Sequence, residues 1–209
     1  IKGQSAGRLT VDNILPSTIA SFFTINLSDE KLYFDGFRQQ LQERGKLNDY
    51  RRNAALLKNR YDIDINEIFY NLLDEEITLA VESVQSEELK ADHFIVIKVK
   101  SRNQAEKKLI DAIVKIAAKE GASSRKYIFN YKFDNELTFP IYQLPLEDFL
   151  KNCLGSFFSC CNKNYFTFID NHLIFGNSVK SLRGFIYSNF LNRTLITDLA
   201  YREHKNNLS

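Results

Sequence analysis

Short stretches with apolar residues at alternate positions recur along the chain. Such alternation places the apolar side chains on one face of a β-strand. A first strand is predicted at Thr18–Asn26, and three hairpins of two strands each follow it. The hairpins join Ile77–Glu82 to Phe94–Val99, Tyr127–Phe133 to Leu137–Leu144, and Tyr165–Ile169 to Leu173–Phe175. Two of them turn at Asp-Asn pairs, which are typical turn residues.

Apolar residues at helical spacing, bounded by capping residues, predict the segments between these strands to be helices. The clearest begins at Asn103, has Glu106 as the fourth residue of a capping-box pattern, and ends at Gly121. The other predicted helices are a segment from Asp29 to Gly45, Asn48–Arg60, Asp62–Leu73, Leu146–Leu154, a helix capped by Ser178, and Thr197–Asn207. Consecutive hairpins without regular β-α-β spacing predict an α+β fold. We expect a mostly antiparallel mixed sheet of about seven strands with helices packed on one face.

The first fourteen residues are polar and show no periodic pattern. Residues 1–14 are therefore predicted to be a flexible N-terminal tether. Residues 15–209 are predicted to form a single α+β domain, because no linker-like stretch interrupts them. An arrangement of two similar lobes that meet near residue 121 stays open within that domain.

Composition excludes several classes of protein. The chain has 209 residues, 44% of them hydrophobic, with 8 Gly and 3 Pro, so it is neither disordered nor collagenous. Lys and Arg number 28 against 26 Asp and Glu, and the net charge of +2 gives no strong overall field toward nucleic acid or anionic membrane. No apolar run approaches the ~18 residues of a membrane-spanning helix.

Cysteine placement argues against a disulfide-stapled scaffold. Cys153, Cys160 and Cys161 are an odd number, clustered in one region of the chain. A bridge between the adjacent pair is sterically awkward, so the only easy intrachain disulfide joins Cys153 to one of the other two. We expect all three to act as small apolar residues that fill the core.

The motifs of common cofactor and metal sites are absent from the sequence. The eight glycines form neither a dinucleotide-binding nor a P-loop pattern. His93, His172 and His204 have no second ligand three or four residues away, and the thiols lack C-x-x-C spacing. No G-x-S-x-G places a serine on a nucleophile elbow. We therefore predict no cofactor, no metal and no catalytic residue.

Paired carboxylates carry the alternative hypothesis of a hydrolase or glycan-processing enzyme whose site is assembled from dispersed residues. The pairs are Asp62 with Asp64 and the run Asp74-Glu75-Glu76. All lie at the edges of predicted elements, where helix caps and a solvated turn explain them, and this interpretation is favoured. Catalysis would require a pocket near Asp62, Asp74 or His172 in which two ionisable groups converge.

Aromatic residues alternate along Lys126–Phe133, and an RNA-stacking strand has a similar appearance. Such a platform would require Tyr127, Tyr131 or their opposite-face neighbours to be exposed on the sheet, and the glycines of a recognition-motif strand are missing here. We therefore interpret these aromatics as core residues and predict no nucleic-acid partner.

Several motifs in order resemble an uncharacterised domain-of-unknown-function family of bacterial secreted and cell-envelope proteins. They are the Leu15-Pro16-Ser17-Thr18 strand entry, Glu75-Glu76-Ile77 at a second strand start, Phe94–Lys100 before the helix start at Asn103, the hairpin and cap Asp170–Ser178, and a late Thr194-Leu195. Asp74 departs from the family pattern, which usually has glycine there. The matched motifs are structural, so no catalytic residue carries over.

The resemblance implies an exported protein, periplasmic or anchored in the outer membrane as a lipoprotein. The chain begins at Ile1 and contains no Met, and on this view residues 1–14 are the tether that follows a removed export signal. The leading hypothesis is a non-enzymatic envelope module that binds or scaffolds another envelope protein or the remainder of a longer chain. Membrane contact is expected only through a removed signal or a lipid anchor.

Overall fold

A computed structural model of the chain describes residues 4–5, 7–83 and 91–207, with the side chains of residues 69–71 excepted. Its strands are β1 Ile19–Asn26, β2 Leu73–Glu82, β3 His93–Val99, β4 Ile128–Lys132, β5 Thr138–Gln143, β6 Tyr165–Ile169 and β7 His172–Gly176. Its α-helices are α1 Glu30–Glu43, α2 Leu47–Tyr61, α3 Ile65–Leu72, α4 Arg102–Lys119, α5 Phe149–Leu154, α6 Val179–Phe190 and α7 Leu199–Asn207. Residues 1–3 of the predicted tether and residues 84–90 of the predicted β2–β3 turn lie outside this description.

The seven strands form one sheet in the order β1-β2-β3-β7-β6-β5-β4. Every neighbouring pair is antiparallel. The three predicted hairpins are all present, and β3 pairs with β7 in the middle of the sheet, with Ile97 opposite Leu173. These features confirm the predicted α+β class.

The helices cover both faces of the sheet rather than the single face predicted. One face packs against α1 to α5 and α4 in particular, with Leu109 and Ile113 in that core. The other face packs against α6, where Leu182 and Phe185 are buried. The reason lies in the central strands, because every residue of β7 is buried and a strand buried on both sides must be covered on both sides.

The N-terminal segment is packed from Leu9 onward, which corrects the predicted tether. Val11 and Ile14 are 1% and 3% exposed, and they join Leu15 in the core of the α6 face. A 3-10 turn at Val11–Asn13 brings these apolar side chains to one side of the segment. Thr10 is fixed by Glu76, whose carboxylate accepts the backbone N–H at 2.8 Å and the hydroxyl at 2.5 Å.

The two halves of the chain form one continuous sheet joined at β3 and β7. In each half a strand is followed by a serine cap and a helix: Ser101 caps α4 and Ser178 caps α6. The two helices nevertheless lie on opposite faces of the sheet. The halves therefore share this strand–cap–helix motif but not a symmetric packing.

Candidate functional site

Asp62, the first carboxylate singled out by the sequence, lies in a surface groove of about 260 Å³ between α2, α3 and α4. It ends α2 in the left-handed conformation, with φ of 54°. Its carboxylate contacts the Lys115 ammonium at 2.7 Å and the Lys58 ammonium at 3.3 Å. The hydrogen bond from Lys115 is the main reason that the pKa of Asp62 lies below its ordinary value. Asp62 is thus a stable carboxylate rather than a proton donor.

Asp64 lines the same groove as Asp62 but has a different role. Its Oδ1 accepts the backbone N–H groups of Asn66 and Glu67, both at 3.1 Å, at the start of α3. This is the helix-cap arrangement that the acidic residue predicts.

The carboxylates of residues 74–76 surround a lysine rather than an open cavity. Glu75 accepts a hydrogen bond from Lys98 Nζ at 2.9 Å, and this bond is the main cause of the raised pKa of Lys98. Glu76 is 1% exposed and holds Thr10, as described above. Glu76 therefore fastens the N-terminal segment to the sheet, whereas Glu75 pairs with Lys98.

The three histidines lie apart. His172 is buried in β7, and neither ring nitrogen has a hydrogen-bond partner among the residues that the structure describes. Burial lowers its pKa to about 4, with Lys98 as a second cause. His93 Nδ1 lies 3.0 Å from the Ala91 carbonyl oxygen, and His204 is exposed on α7. Within the described residues, no three His, Cys, Asp or Glu side chains are grouped so that they could hold a metal ion.

The cysteines are free thiols. Cys160 and Cys161 have their sulfurs 3.9 Å apart, and the contact with Cys161 lowers the pKa of Cys160. Cys161 also donates to the His93 carbonyl at 3.3 Å and is buried. Burial raises the pKa of Cys153 well above its ordinary value. Cys153 and Cys161 thus fill the core, as predicted, while Cys160 is half-buried.

The aromatics of Lys126–Phe133 do not form an open stacking platform. Tyr127 is buried in the core on the α4 side. Phe129 and Tyr131 are half-buried on the opposite face, where the Arg183 guanidinium of α6 lies 5.6 Å from the Tyr131 ring centre. The RNA-binding alternative required these rings to be exposed on the sheet.

A cluster of exposed and half-buried apolar side chains lies where the end of α6 meets the β4–β5 hairpin. We call it the aromatic patch; it consists of Phe133, Leu137, Phe139, Tyr187, Phe190 and Leu191. Tyr187 and Phe190 are each 45% exposed, Leu137 is 40% exposed and Leu191 is 37% exposed. The ring centre of Phe133 lies 4.2 Å from that of Phe190 and 5.8 Å from that of Tyr187.

The sequence of α6 explains why these side chains stay outside the core. Leu182, Phe185 and Ile186 have helical spacing and are buried against the sheet. Tyr187 and Phe190 are three residues apart, so their side chains are neighbours on the helix surface, beside the buried stripe. The sequence interpretation assigned the aromatics mainly to the core and missed the patch, although aromatic residues beyond the buried stripe were the signal that could have revealed it.

Charged and turn residues border the aromatic patch. Lys132 and Arg183 are exposed on one side, and Asp134 and Glu136 are exposed in the hairpin turn. Asp134 Oδ1 accepts the backbone N–H groups of Glu136 and Leu137, both at 2.8 Å, which fixes the turn. An apolar centre with a charged rim is the usual composition of a protein-binding surface.

Comparisons with family models, curated proteins and solved structures found no match for this chain. Among the residues that the structure describes, no helix combines the length and the apolar character needed to cross a bilayer.

Proposed function

We propose that this protein is a non-catalytic binding or scaffolding module of the bacterial cell envelope, and that the aromatic patch is its contact surface. The observation that carries the proposal is the exposure of Tyr187, Phe190, Leu137 and Leu191 side by side. The envelope location and the partner class, another envelope protein or the rest of a longer chain, follow from the family resemblance of the motifs.

The carboxylates favour binding over catalysis. Asp62 is held ionised by two lysines, and Asp64 caps a helix. Glu76 is buried against Thr10. Asp62 and Asp64 line one groove, but each already has a structural partner there, which favours binding over catalysis.

The aromatic patch offers enough apolar surface for a useful contact. Covering a half-exposed aromatic side chain contributes about 1–2 kcal/mol, and aromatic anchors usually dominate binding energy. Phe133 and Phe139 pack against the exposed Phe190 ring. A supported aromatic ring loses little conformational freedom when a partner covers it.

A photo-crosslinking amino acid at Tyr187 tests the proposal in cells of the source organism. We expect an adduct that fractionates with the envelope and that disappears when Phe190 is replaced by Ser. The matched control is the same amino acid at Val114, which is 46% exposed on α4 on the other face of the sheet. Equal adducts at both positions, no adduct at either, or recovery in the cytoplasmic fraction would refute the proposal.

A further inference from the structure

We propose that β4 pairs antiparallel with β4 of a second copy of this chain, so that two sheets join into one across a twofold axis. This inference rests on the proposed function, because it identifies the protein that binds beside the aromatic patch. The partner is a second copy because the edge strand is complementary to itself in backbone groups, side chains and charge.

Strand β4 is the last strand of the sheet and pairs only with β5 in the described sheet. Phe133 N–H donates to the Leu137 carbonyl at 2.9 Å, so this pair is hydrogen-bonded. Bonded and non-bonded pairs alternate in an antiparallel ladder, which makes Tyr131 a bonded position and Asn130 a non-bonded one. The N–H and C=O groups of Asn130 therefore point away from β5, toward the open edge.

Pro140 supports this assignment. It lies opposite Asn130 in the ladder, and it has no N–H to donate. Its carbonyl accepts a hydrogen bond from the Thr167 hydroxyl at 2.8 Å, on the β6 side. The backbone groups of the Asn130–Pro140 pair thus point outward from each other, and those of Asn130 have no partner in β5.

If two copies pair with Asn130 at the centre, the free backbone N–H and C=O groups of each β4 gain hydrogen-bond partners in the other copy. The two Asn130 residues then exchange backbone hydrogen bonds, and Ile128 lies opposite Lys132 of the second copy. Phe129 lies opposite Tyr131 of the second copy on the α6 face. Cross-strand aromatic pairs of this kind stabilise a ladder, and this pair extends the apolar surface beside the aromatic patch.

The charged residues that flank β4 are also consistent with the twofold pairing. In this register the 3-10 turn before β4, which contains Lys126, lies beside the hairpin turn of the second copy that contains Asp134, and the twofold axis repeats this arrangement. Both side chains are exposed in the single chain. Opposite charges placed across the axis favour this register, whereas like charges there would oppose it.

Sedimentation velocity of the full chain under reducing conditions, over a range of concentrations, tests the inference. We expect a species of about twice 24.3 kDa. Asn130→Pro removes the central backbone donor and should raise the dissociation constant of the dimer at least tenfold. Asn130→Thr keeps that donor and should change the dissociation constant by no more than about threefold. Circular dichroism checks that each variant is folded.

Charge variants test the register without disturbing the ladder. Lys126→Glu sets two carboxylates against each other and should weaken the dimer at least tenfold, and adding Asp134→Asn should restore most of the loss, since the amide keeps its turn bonds. Lys107→Glu on α4 makes the same change in net charge and should have no effect; Lys107 is exposed.

The outcomes separate this inference from the proposed function. A chain that stays monomeric at all concentrations, or a dimer that Lys126→Glu leaves unchanged, overturns β4 pairing. If such a chain still gives an adduct with a different protein at position 187, the proposed function stands and only the identity of the partner is refuted. Absence of both the dimer and the adduct refutes both.

Discussion

Replacement of His172 by leucine tests the most unusual polar group in the sheet. The imidazole is buried in β7, and neither ring nitrogen has a partner. Burial and the nearby Lys98 ammonium hold its pKa at about 4, below the ordinary value of 6.5, while Asp170 opposes the shift. The folded protein therefore holds the neutral imidazole, and the charged form is favoured only in the unfolded chain.

The sign and size of the effect follow from proton linkage. Between pH 6.5 and pH 4 the unfolded chain binds a proton that the folded protein excludes, so the free energy of unfolding falls as the pH falls. At about 1.4 kcal/mol per pH unit, the full loss is about 3 kcal/mol, and about 2 kcal/mol of it has occurred at pH 5. Above pH 6.5 this loss is absent.

Urea denaturation of the natural protein and of His172→Leu at pH 7.5, 6 and 5 measures the difference. At pH 7.5 the two free energies should agree within about 1 kcal/mol, because lost packing is offset by removing two unpartnered polar atoms. At pH 5 the variant should be the more stable by about 2 kcal/mol beyond that baseline. His204→Leu, at an exposed position on α7, is the control. A His172→Leu difference that does not change with pH would refute the burial argument.

Three further predictions concern stability and reactivity. Asp12→Ala should lower the free energy of unfolding by about 2 kcal/mol, because the carboxylate is 2% exposed and contacts the Lys205 ammonium at 2.5 Å. Gly36→Ala should stabilise the protein by about 0.5–1 kcal/mol in thermal denaturation, since a Cβ there meets open space on α1. Gly176→Ala should destabilise the protein by about 1–3 kcal/mol, because the added Cβ would lie 3.0 Å from a neighbouring side chain. Iodoacetamide should alkylate Cys160 before the other thiols, as mass spectrometry would show, because its pKa is lowered and it is half-buried.

Controls for these predictions come from the same chain. Asp35→Ala breaks only exposed ion pairs on α1 and should change the unfolding free energy by less than about 1 kcal/mol. An Asp12 effect no larger than that of Asp35 would contradict the buried-pair argument. Equal changes in stability for the two glycine variants would contradict the packing argument. Cys153 should react only on unfolding, and its early alkylation in the folded protein would show that it is not buried.

Local features of the sequence predicted the elements of the fold well. Ser178 caps α6 as predicted, and Asp29, at the predicted start of α1, accepts the Leu32 N–H at 3.1 Å. The predicted start of α4 at Asn103 is two residues late, because Ser101 is its cap. These signals act over three or four residues, so they can be read from the chain itself. The fold class followed because two of the three hairpins have short turns, at Asp134-Asn135 and Asp170-Asn171, which the sequence also marks.

Contacts between distant residues could not be read in the same way. Thr10 and Glu76 are 66 positions apart, and nothing near either residue indicates the other. For the same reason the predicted tether ended too late in the chain, and the second covered face was missed. The aromatic patch was missed because periodicity assigns an aromatic residue to a face, while only the tertiary packing shows whether anything covers that face.

The packing of the α6 face accounts for the position of the aromatic patch. The N-terminal segment runs beside α6, where Asn189 Nδ2 donates to the Ile14 carbonyl at 2.9 Å. Beyond it, Tyr201 of α7 contacts Phe22 of β1, with ring centres 6.3 Å apart. The covering elements therefore extend from α6 toward β1, and the β4 end of the sheet receives only the flank of α6. Hydrophobic side chains at that end stay exposed unless a partner supplies the cover, so the folding of the termini leaves the proposed contact surface at the β4 edge.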